Sequence, residues 1–279
     1  MAENRLFHSH EVDWLTTSRR WRIITAARPR PDLSENREHR RWMLRHSHRH
    51  PHAELLFIFE GQSQIGLEGQ IHWLRPRSLC FFAPLDLHDD GYRAGSLLRH
   101  LWITVLGDHY IARMLERRDR HRYRQVWCEV ISVDQAAVAP KVFSLHGENL
   151  RPSTDTLRAA ARLLIDSVIQ RGWADASADS GDLFRREVIA ATCSHVEKTA
   201  GKGVSLAGLA RIAGYSKFHF LRLFRRHTGF TVQQYIDRCR LKRTEELAAQ
   251  GKSQKAIAAA LGFSHPTAFS RWKRAVSGR

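Results

Sequence analysis

The 279-residue chain contains no run of about eighteen apolar residues, so nothing in it reads as a membrane-spanning helix. Its start, MAENRLFHSHEVDW, lacks the basic-then-apolar order of a secretory signal, and the cytoplasm is the expected compartment. Cysteine is sparse. Cys80, Cys128, Cys193 and Cys239 are scattered with no CxxC pair, which argues against disulfide staples or a cysteine zinc site and predicts reduced, mostly buried thiols. Acid is in shortest supply: 28 Asp and Glu stand against 45 Lys and Arg, for a formal charge of +17. From 201 to 279 only Asp237, Glu245 and Glu246 oppose sixteen cations, so +13 of the surplus lies there. Positive charge concentrated in one segment is the footprint of nucleic-acid binding, because phosphate contacts release condensed counterions. An anionic membrane surface is the competing partner.

Length suggests about two domains, and 43% hydrophobic residues suffice for ordinary cores. From about 45 to 135, short apolar runs (ELLFIFEG, SQIGLEGQIHWL, SLCFFAP, LRHLWITVL) are broken by Gly, Pro and Asp at roughly ten-residue spacing, which predicts a β-sandwich or jelly-roll barrel. Residues 154–171 place Leu157, Ala161, Leu164 and Val168 on one helix face, a candidate dimer surface, and WADASADSG (Trp173 to Gly181) reads as a linker. Everything after it reads as helical. Residues 1–44 are Arg-rich with isolated Trp14, Trp21 and Trp42, and are expected to be an extension packed on the barrel by its tryptophans rather than an arm touching DNA.

The C-terminal segment repeats at a spacing of 48: LARIAGYS, Leu209 to Ser216, returns as IAAALGFS, Ile257 to Ser264. In each copy a small alanine (Ala210, Ala258) permits close helix approach, a glycine (Gly214, Gly262) permits positive φ, and a serine can cap the next helix. That is a helix-turn-helix pattern, whose second helix enters the major groove. In the first copy Phe220, Leu223 and Phe224 form the inner stripe. Phe218, Leu221, Arg222 and Arg225 face outward without a single carboxylate, suited to guanine edges and thymine methyls, while Lys217 and Arg226 suit phosphate. In the second, Pro266 opens the helix, Phe269, Trp272 and Val276 face inward, and Thr267, Arg271 and Arg274 project out. One long helix, Thr231 to Gln250, with Tyr235, Cys239, Lys242 and Leu247 near helical spacing, is expected to join the copies.

LAGLARIAGYSKFHFLRLFRRHTGFTVQQYIDRCRLKRTEELA followed by SQKAIAAALGFSHPTAFSRWKR resembles the DNA-binding domain of AraC/XylS transcription regulators, over about 100 residues from Asp182 onward. The resemblance implies two helix-turn-helix units reading successive major-groove segments of promoter DNA, with activation through RNA polymerase. By position, base contacts fall on Phe218, Leu221 and Arg222, then on Pro266, Thr267 and Arg271. Where the family has FSRxFKR this chain has FSRWKR, one residue shorter, so Trp272 must supply the aromatic group.

Upstream, HSHRHPHAELLFIFEG contains His48, His50, Glu54 and Gly61 in the order H-x-H-x3-E-x6-G, which resembles the first cupin motif. In a strand, residues two apart share a face, so His48 and His50 can point together, with Glu54 and, from a later strand, His88 completing a set of four. The second cupin motif is poorly kept, since Asp86 stands where its glycine belongs. AraC-type sensor domains resemble cupins and bind small molecules without catalysis. His48, His50, Glu54 and His88 are therefore expected to contact an effector, with no metal or cofactor. Structural roles, or a metal site in a cupin dioxygenase or isomerase, are the alternatives. The whole reads as an α+β protein: an extension (1–44), a cupin-like jelly-roll sensor (45–135), a helical connection and linker (136–181), and an all-α double helix-turn-helix domain (182–279). It is expected to be a homodimeric, effector-responsive activator.

Overall fold

The computed structural model describes residues 7–17, 21–26, 37–89, 97–106, 109–117, 123–132, 152–173 and 180–277. The chain forms two compact units, Met1–Phe184 and Arg185–Arg279. Residues 136–151, and 174–179 of the expected linker, lie outside the described residues.

The first unit is built on a six-stranded sheet in the order β1-β5-β2-β6-β7-β8. Its strands are β1 (Arg22–Ile24), β2 (Ala53–Gly61), β5 (Ser78–Phe82), β6 (Leu98–Leu106), β7 (His109–Arg117) and β8 (Arg124–Ser132). A hairpin of β3 (Ser63–Leu67) and β4 (Gln70–Leu74) forms a second, two-stranded sheet. Its loop is the two residues Glu68 and Gly69, both at positive φ, as the tightest hairpin turns that match strand twist require.

The apolar run in β2 is continuous because both of its faces are covered. Leu55, Phe57 and Phe59 enter one core with Trp14, Trp21, Leu101, Ile103 and Met114. Leu56 and Ile58 enter a second with Ile65, Leu67, Leu74, Phe82, Leu98 and Trp102, between sheet and hairpin. The segment 1–44 packs on the sheet through Trp14 and Trp21 as read from its sequence, and it does so with structure of its own: α1 (Ser9–Thr16), β1 and the start of α2 (Arg37–His46). Trp14 and Trp21 lie within the first core, Trp21 edge-on to Phe57 at 5.3 Å, and β1 pairs in parallel with β5. The Arg99 guanidinium also pairs with the buried Glu11 carboxylate, fixing α1 to the sheet, and reaches Glu116 at 3.3 Å.

The helix read at 154–171 is present as α3 (Thr154–Trp173), but its apolar stripe is not a dimer surface. Leu157, Ala161, Leu164 and Val168 are buried against the sheet with Leu55 and Phe57. A 3.6-residue apolar period reports only that a face is covered, and here this domain's own sheet covers it.

All four cysteines are free thiols. Burial, the dominant cause in each case, raises Cys80 strongly and pushes Cys128 to about 12 and Cys193 and Cys239 to about 11, so they remain protonated and inert.

Within the sheet domain His100 is buried, and that burial, with the neighbouring charges of Arg113 and Arg117, lowers it to about 3 from an ordinary 6.5. A histidine kept neutral in the fold but free to protonate when unfolded contributes its full stability above pH 6.5, and loses it as pH falls toward 3. Between pH 7 and pH 5 this group alone should cost about 2 kcal/mol. Denaturant unfolding of wild type and His100→Gln at both pH values is expected to show that difference in slope. Parallel pH profiles would contradict it.

Candidate nucleic-acid interface and sensor site

In the second unit, the part of α4 (Ser180–Thr199) from Arg185 onward leads into α5 (Leu206–Ile212), α6 (Lys217–Thr228), α7 (Val232–Ala249), α8 (Gln254–Ala260) and α9 (Pro266–Ser277). The sequence repeat is reproduced bond for bond in the backbone. In the first turn Gly214 N–H donates to Arg211 C=O (3.0 Å) and Tyr215 N–H to Ala210 C=O (2.9 Å). Forty-eight residues later Gly262 donates to Ala259 (3.1 Å) and Phe263 to Ala258 (2.9 Å). Gly214 and Gly262 lie at φ 73° and 79°, the left-handed conformation that lets the chain fold back on the helix it has just left. The alanines at each turn, Ala210 and Ala258, are buried.

Helix α6 has the expected capping: Ser216 Oγ accepts from His219 N–H, and Gly229, at φ 75°, ends it. Phe220, Leu223 and Phe224 are its buried stripe. Lys217, Phe218, Arg222, Arg225 and Arg226 are exposed and Leu221 is half-buried. Phe218 is 81% exposed, a large apolar group with nothing of its own domain over it. No acid occupies the first turn of α6, and Lys217 stands at the positive end of the helix dipole, a placement that costs about 0.3–1 kcal/mol and is relieved by an anion there.

The second copy differs by one residue. Helix α9 starts at Pro266, and its first helical bond runs from Phe269 N–H to His265 C=O (3.3 Å), so Ser264 lies outside the helix rather than capping it. Pro266, Thr267, Arg271 and Arg274 are exposed. Phe269 is buried, while Trp272 and Val276 are half-buried. Trp272 fills the aromatic position through its ring contacts with Phe263 (5.3 Å) and Phe269 (5.9 Å), and its indole N–H donates to Asp237 Oδ1 at 2.8 Å. That carboxylate also accepts from Gln233 Nε2. The connecting helix is Val232–Ala249, but its inner face is Val232, Ile236, Asp237, Thr244 and Leu247. Of the residues noted at helical spacing, Leu247 is buried, Tyr235 and Cys239 are half-buried and Lys242 is exposed.

In the sheet domain, Glu54 enters β2 directly opposite Phe82 of β5 and Thr104 of β6. His50, His52, Glu54 and His88 are all buried, and His48 lies half-buried at the rim. His50 Nε2 is 3.1 Å from His88 Nε2, and Glu54 Oε2 lies 3.2 Å from the first and 3.7 Å from the second. The other carboxylate oxygen, Oε1, is held by His52 Nε2 (3.2 Å) and Thr104 Oγ1 (3.3 Å). Burial by itself would raise the Glu54 carboxyl, but hydrogen bonds from His50, His52 and His88 more than reverse it and hold it well below the usual range. Main-chain bonds fix the frame: His48 and His88 exchange N–H···O=C bonds at 2.9 and 3.1 Å, and Leu85 N–H donates to His50 C=O at 2.8 Å. The four residues singled out from the sequence therefore converge. His52 and Thr104 were missed as members of the site. His52 was visible only as a neighbour of the motif, and Thr104 is brought in by sheet register alone.

A turn-linked helix pair that occurs twice in a basic helical domain, in a chain that also carries a β-rich domain with a buried polar cluster, defines a DNA-binding regulator with a sensor module. Residues 209–279 match a helix-turn-helix domain family and residues 33–171 the AraC-like ligand binding domain family. The chain belongs to the AraC family of transcription regulators. It is similar to YbfI, an uncharacterized HTH-type transcriptional regulator of Bacillus subtilis (strain 168), 24% identical over 78% of each chain. It is also similar to YobQ of the same organism, 21% identical over 82% of this chain and 84% of that one. Among solved structures, unsaturated fatty acid-bound ToxT from Vibrio cholerae aligns over 83% of this chain and 89% of its own, at 11% identity and a TM-score of 0.26.

The Trp272–Asp237 bond ties the second recognition helix to the connecting helix. Trp272→Phe keeps an aromatic ring and removes that bond, worth about 1.5 kcal/mol for a charged acceptor. Amides of α9 should exchange roughly tenfold faster with those of α6 unchanged. Unaltered α9 protection would show that ring packing alone holds the helix.

Proposed function

We propose that the regulator reads two successive major-groove segments through α6 and α9. Phe218, Leu221 and Arg222 meet bases in the first, and Pro266, Thr267 and Arg271 in the second. Lys217, Arg225, Arg226 and Arg274 hold phosphate or flanking edges. The observation that carries this reading is the outward face of α6, where an almost fully exposed Phe218 sits among cations with no carboxylate. Such a face is poorly matched to water and well matched to an anion with methyl-bearing edges. The repeated turn supports a second reader of the same kind.

The sensor domain takes its effector at His48, His50, Glu54 and His88, and occupancy there changes how the DNA-binding units are presented, and so promoter occupancy. The protein acts as an activator through RNA polymerase, as a homodimer in the cytoplasm, and is not an enzyme. Among the described residues no helix is long and apolar enough to cross a membrane. Self-association would use a surface other than the inner stripe of α3, which its own core occupies.

Selection of bound duplexes from a random pool at about 150 mM salt should yield a site with two elements about one helical turn apart. Arg222→Ala should cost about 1–3 kcal/mol and relax one position of the first element. Lys217→Ala should weaken all sequences alike and lower the salt slope by about one. A variant lacking Arg222 with unchanged affinity and selectivity would remove the base-contact assignment. A single enriched element would remove the second reader.

A further inference from the structure

Helix α2 has two faces of different kinds. His39, Trp42 and Met43, at i, i+3 and i+4, form the face that meets the sheet domain. His39 Nε2 lies 2.8 Å from Asp89 Oδ2 with both side chains fully buried, and that carboxylate also accepts from Gly66 N–H of β3 at 3.1 Å. Met43 packs so close to Gly66 that a Cβ there would come within 2.8 Å of it. Trp42, half-buried, carries His46 stacked on its ring at 3.5 Å. The helix is therefore fixed to the β3–β4 hairpin from one side.

The opposite face is Arg37, Arg40, Arg41, Leu44 and Arg45, at i, i+3, i+4, i+7 and i+8. All five are exposed, Leu44 to 88%. Among the described residues none of the four arginine side chains has an ion-pair or hydrogen-bond partner, and the one acid of the helix, Glu38, stands in its first turn. Arg37 and Arg41, then Arg41 and Arg45, are like charges four residues apart, and Arg37 lies at the positive end of the helix dipole. Each placement disfavours the helix, and an anion laid along this face relieves all of them. From Arg37 to Arg45 the helix advances about 12 Å. One strand of a duplex carries a phosphate about every 3.4 Å along the axis, so the stripe spans about three or four phosphates. The cations are all guanidinium, with no lysine in α2, and guanidinium makes paired hydrogen bonds to phosphate oxygens. A helix lying in a membrane interface needs a broad apolar face, which one leucine among four cations does not supply.

We propose that the outer face of α2 is a further DNA-contacting surface, carried by the sensor domain, in which Arg37, Arg40, Arg41 and Arg45 hold phosphates along one strand of the duplex that α6 and α9 read. Leu44, at the middle of the stripe, lies against the sugars between them. The surface adds affinity without sequence preference, because phosphate oxygens are alike at every base pair. DNA is its occupant, rather than an acidic protein, because the same chain already holds a duplex: with α6 and α9 bound, the contact made by α2 is intramolecular, and one too weak to form alone then forms. The segment 1–44 was expected to pack by its tryptophans instead of touching DNA. It packs as expected, through Trp14 and Trp21, and α2 leaves its arginines on the outside to do the other as well. This surface rests on the reading of α6 and α9 as DNA-binding helices, and goes beyond it by giving the sensor domain a direct share of the affinity.

The test is the salt dependence of binding by the full-length protein, from about 50 to 200 mM salt, on two duplexes carrying the enriched site. One is trimmed to the two elements, and the other is extended by about two helical turns on each side. Three or four more phosphate contacts steepen the slope by about 2.7 to 3.6, so across that range the wild-type protein should lose about 40- to 150-fold more affinity for the long duplex than for the short one. A variant combining Arg37→Gln, Arg40→Gln, Arg41→Gln and Arg45→Gln should bind the long duplex with the slope of the short one, and should keep its affinity for the short duplex and the base preference read through Arg222. Its melting temperature should match wild type, since all four side chains are exposed. Arg41→Gln alone, the milder change, should lower the long-duplex slope by about one. A long-duplex slope that neither variant alters would overturn the proposal, as would vesicles of phosphatidylserine that bind the wild-type protein and not the fourfold variant while the DNA slopes stay equal. A wild-type protein that enriches no site would overturn this surface together with the reading of α6 and α9, whereas one that binds both duplexes with a single slope would overturn this surface alone.

Discussion

The sensor domain depends on the burial of β2 on both faces. With Leu55, Phe57 and Phe59 in one core and Leu56 and Ile58 in the other, its register cannot slip by a residue without exchanging the two sets, which are shaped by different partners. Everything else in the domain is placed against that strand. The helices α1 and α3 cover one side and the β3–β4 hairpin covers the other. The first residues of the strand also carry the only polar cargo of its buried stretch, Glu54, which must be satisfied because it cannot reach water. The histidines and Thr104 around it do so, and the low carboxyl proton affinity that results is a consequence of their hydrogen bonds outweighing burial.

The helical unit is organised by a different constraint, the closing of two short turns. Each needs a glycine at positive φ and an alanine small enough to lie beneath the next helix. When these are met, the residues that follow emerge as a helix with one face already committed to the core. What remains outside is thereby selected for a partner. In α6 that remainder is cationic and aromatic. In α9 it is Thr267, Arg271 and Arg274, on a helix that begins one residue later and is steadied by an indole–carboxylate bond to the connecting helix. The shorter sequence between Phe269 and the basic end of α9 is thus accommodated by moving the aromatic contact to Trp272 and adding a polar anchor at Asp237.

Much of this was legible in the residues. The 48-residue repeat, the serine and glycine ends of α6, its buried stripe and the strands β2 to β6 all follow from local chemistry, since caps, turns and apolar periods are set by near neighbours. So was the meeting of His48, His50 and Glu54, although the two histidines come from the segment before β2 rather than from one face of a strand. Other features were not. The stripe Leu157–Val168 announced a covered face without saying by what, and a sheet rather than a second subunit covers it. That Trp14 and Trp21 pack on the domain was readable, but not that β1 pairs in parallel with β5 to bring them there. Thr104 is fifty residues from Glu54, and no periodicity connects them.

The sequence by itself determined that this chain has two kinds of domain, that the second is basic and built twice from the same turn, and that a histidine-rich segment precedes a buried strand. These depend on interactions spanning a few residues or on composition, which are fixed before the chain folds. Only the tertiary structure decided that His52 and Thr104 join the cluster, how Glu54 is held from behind, and where the apolar side of α3 goes. Those outcomes depend on sheet register and on which surfaces meet across distant parts of the chain, and such contacts are selected by burial of the whole domain rather than by any one segment.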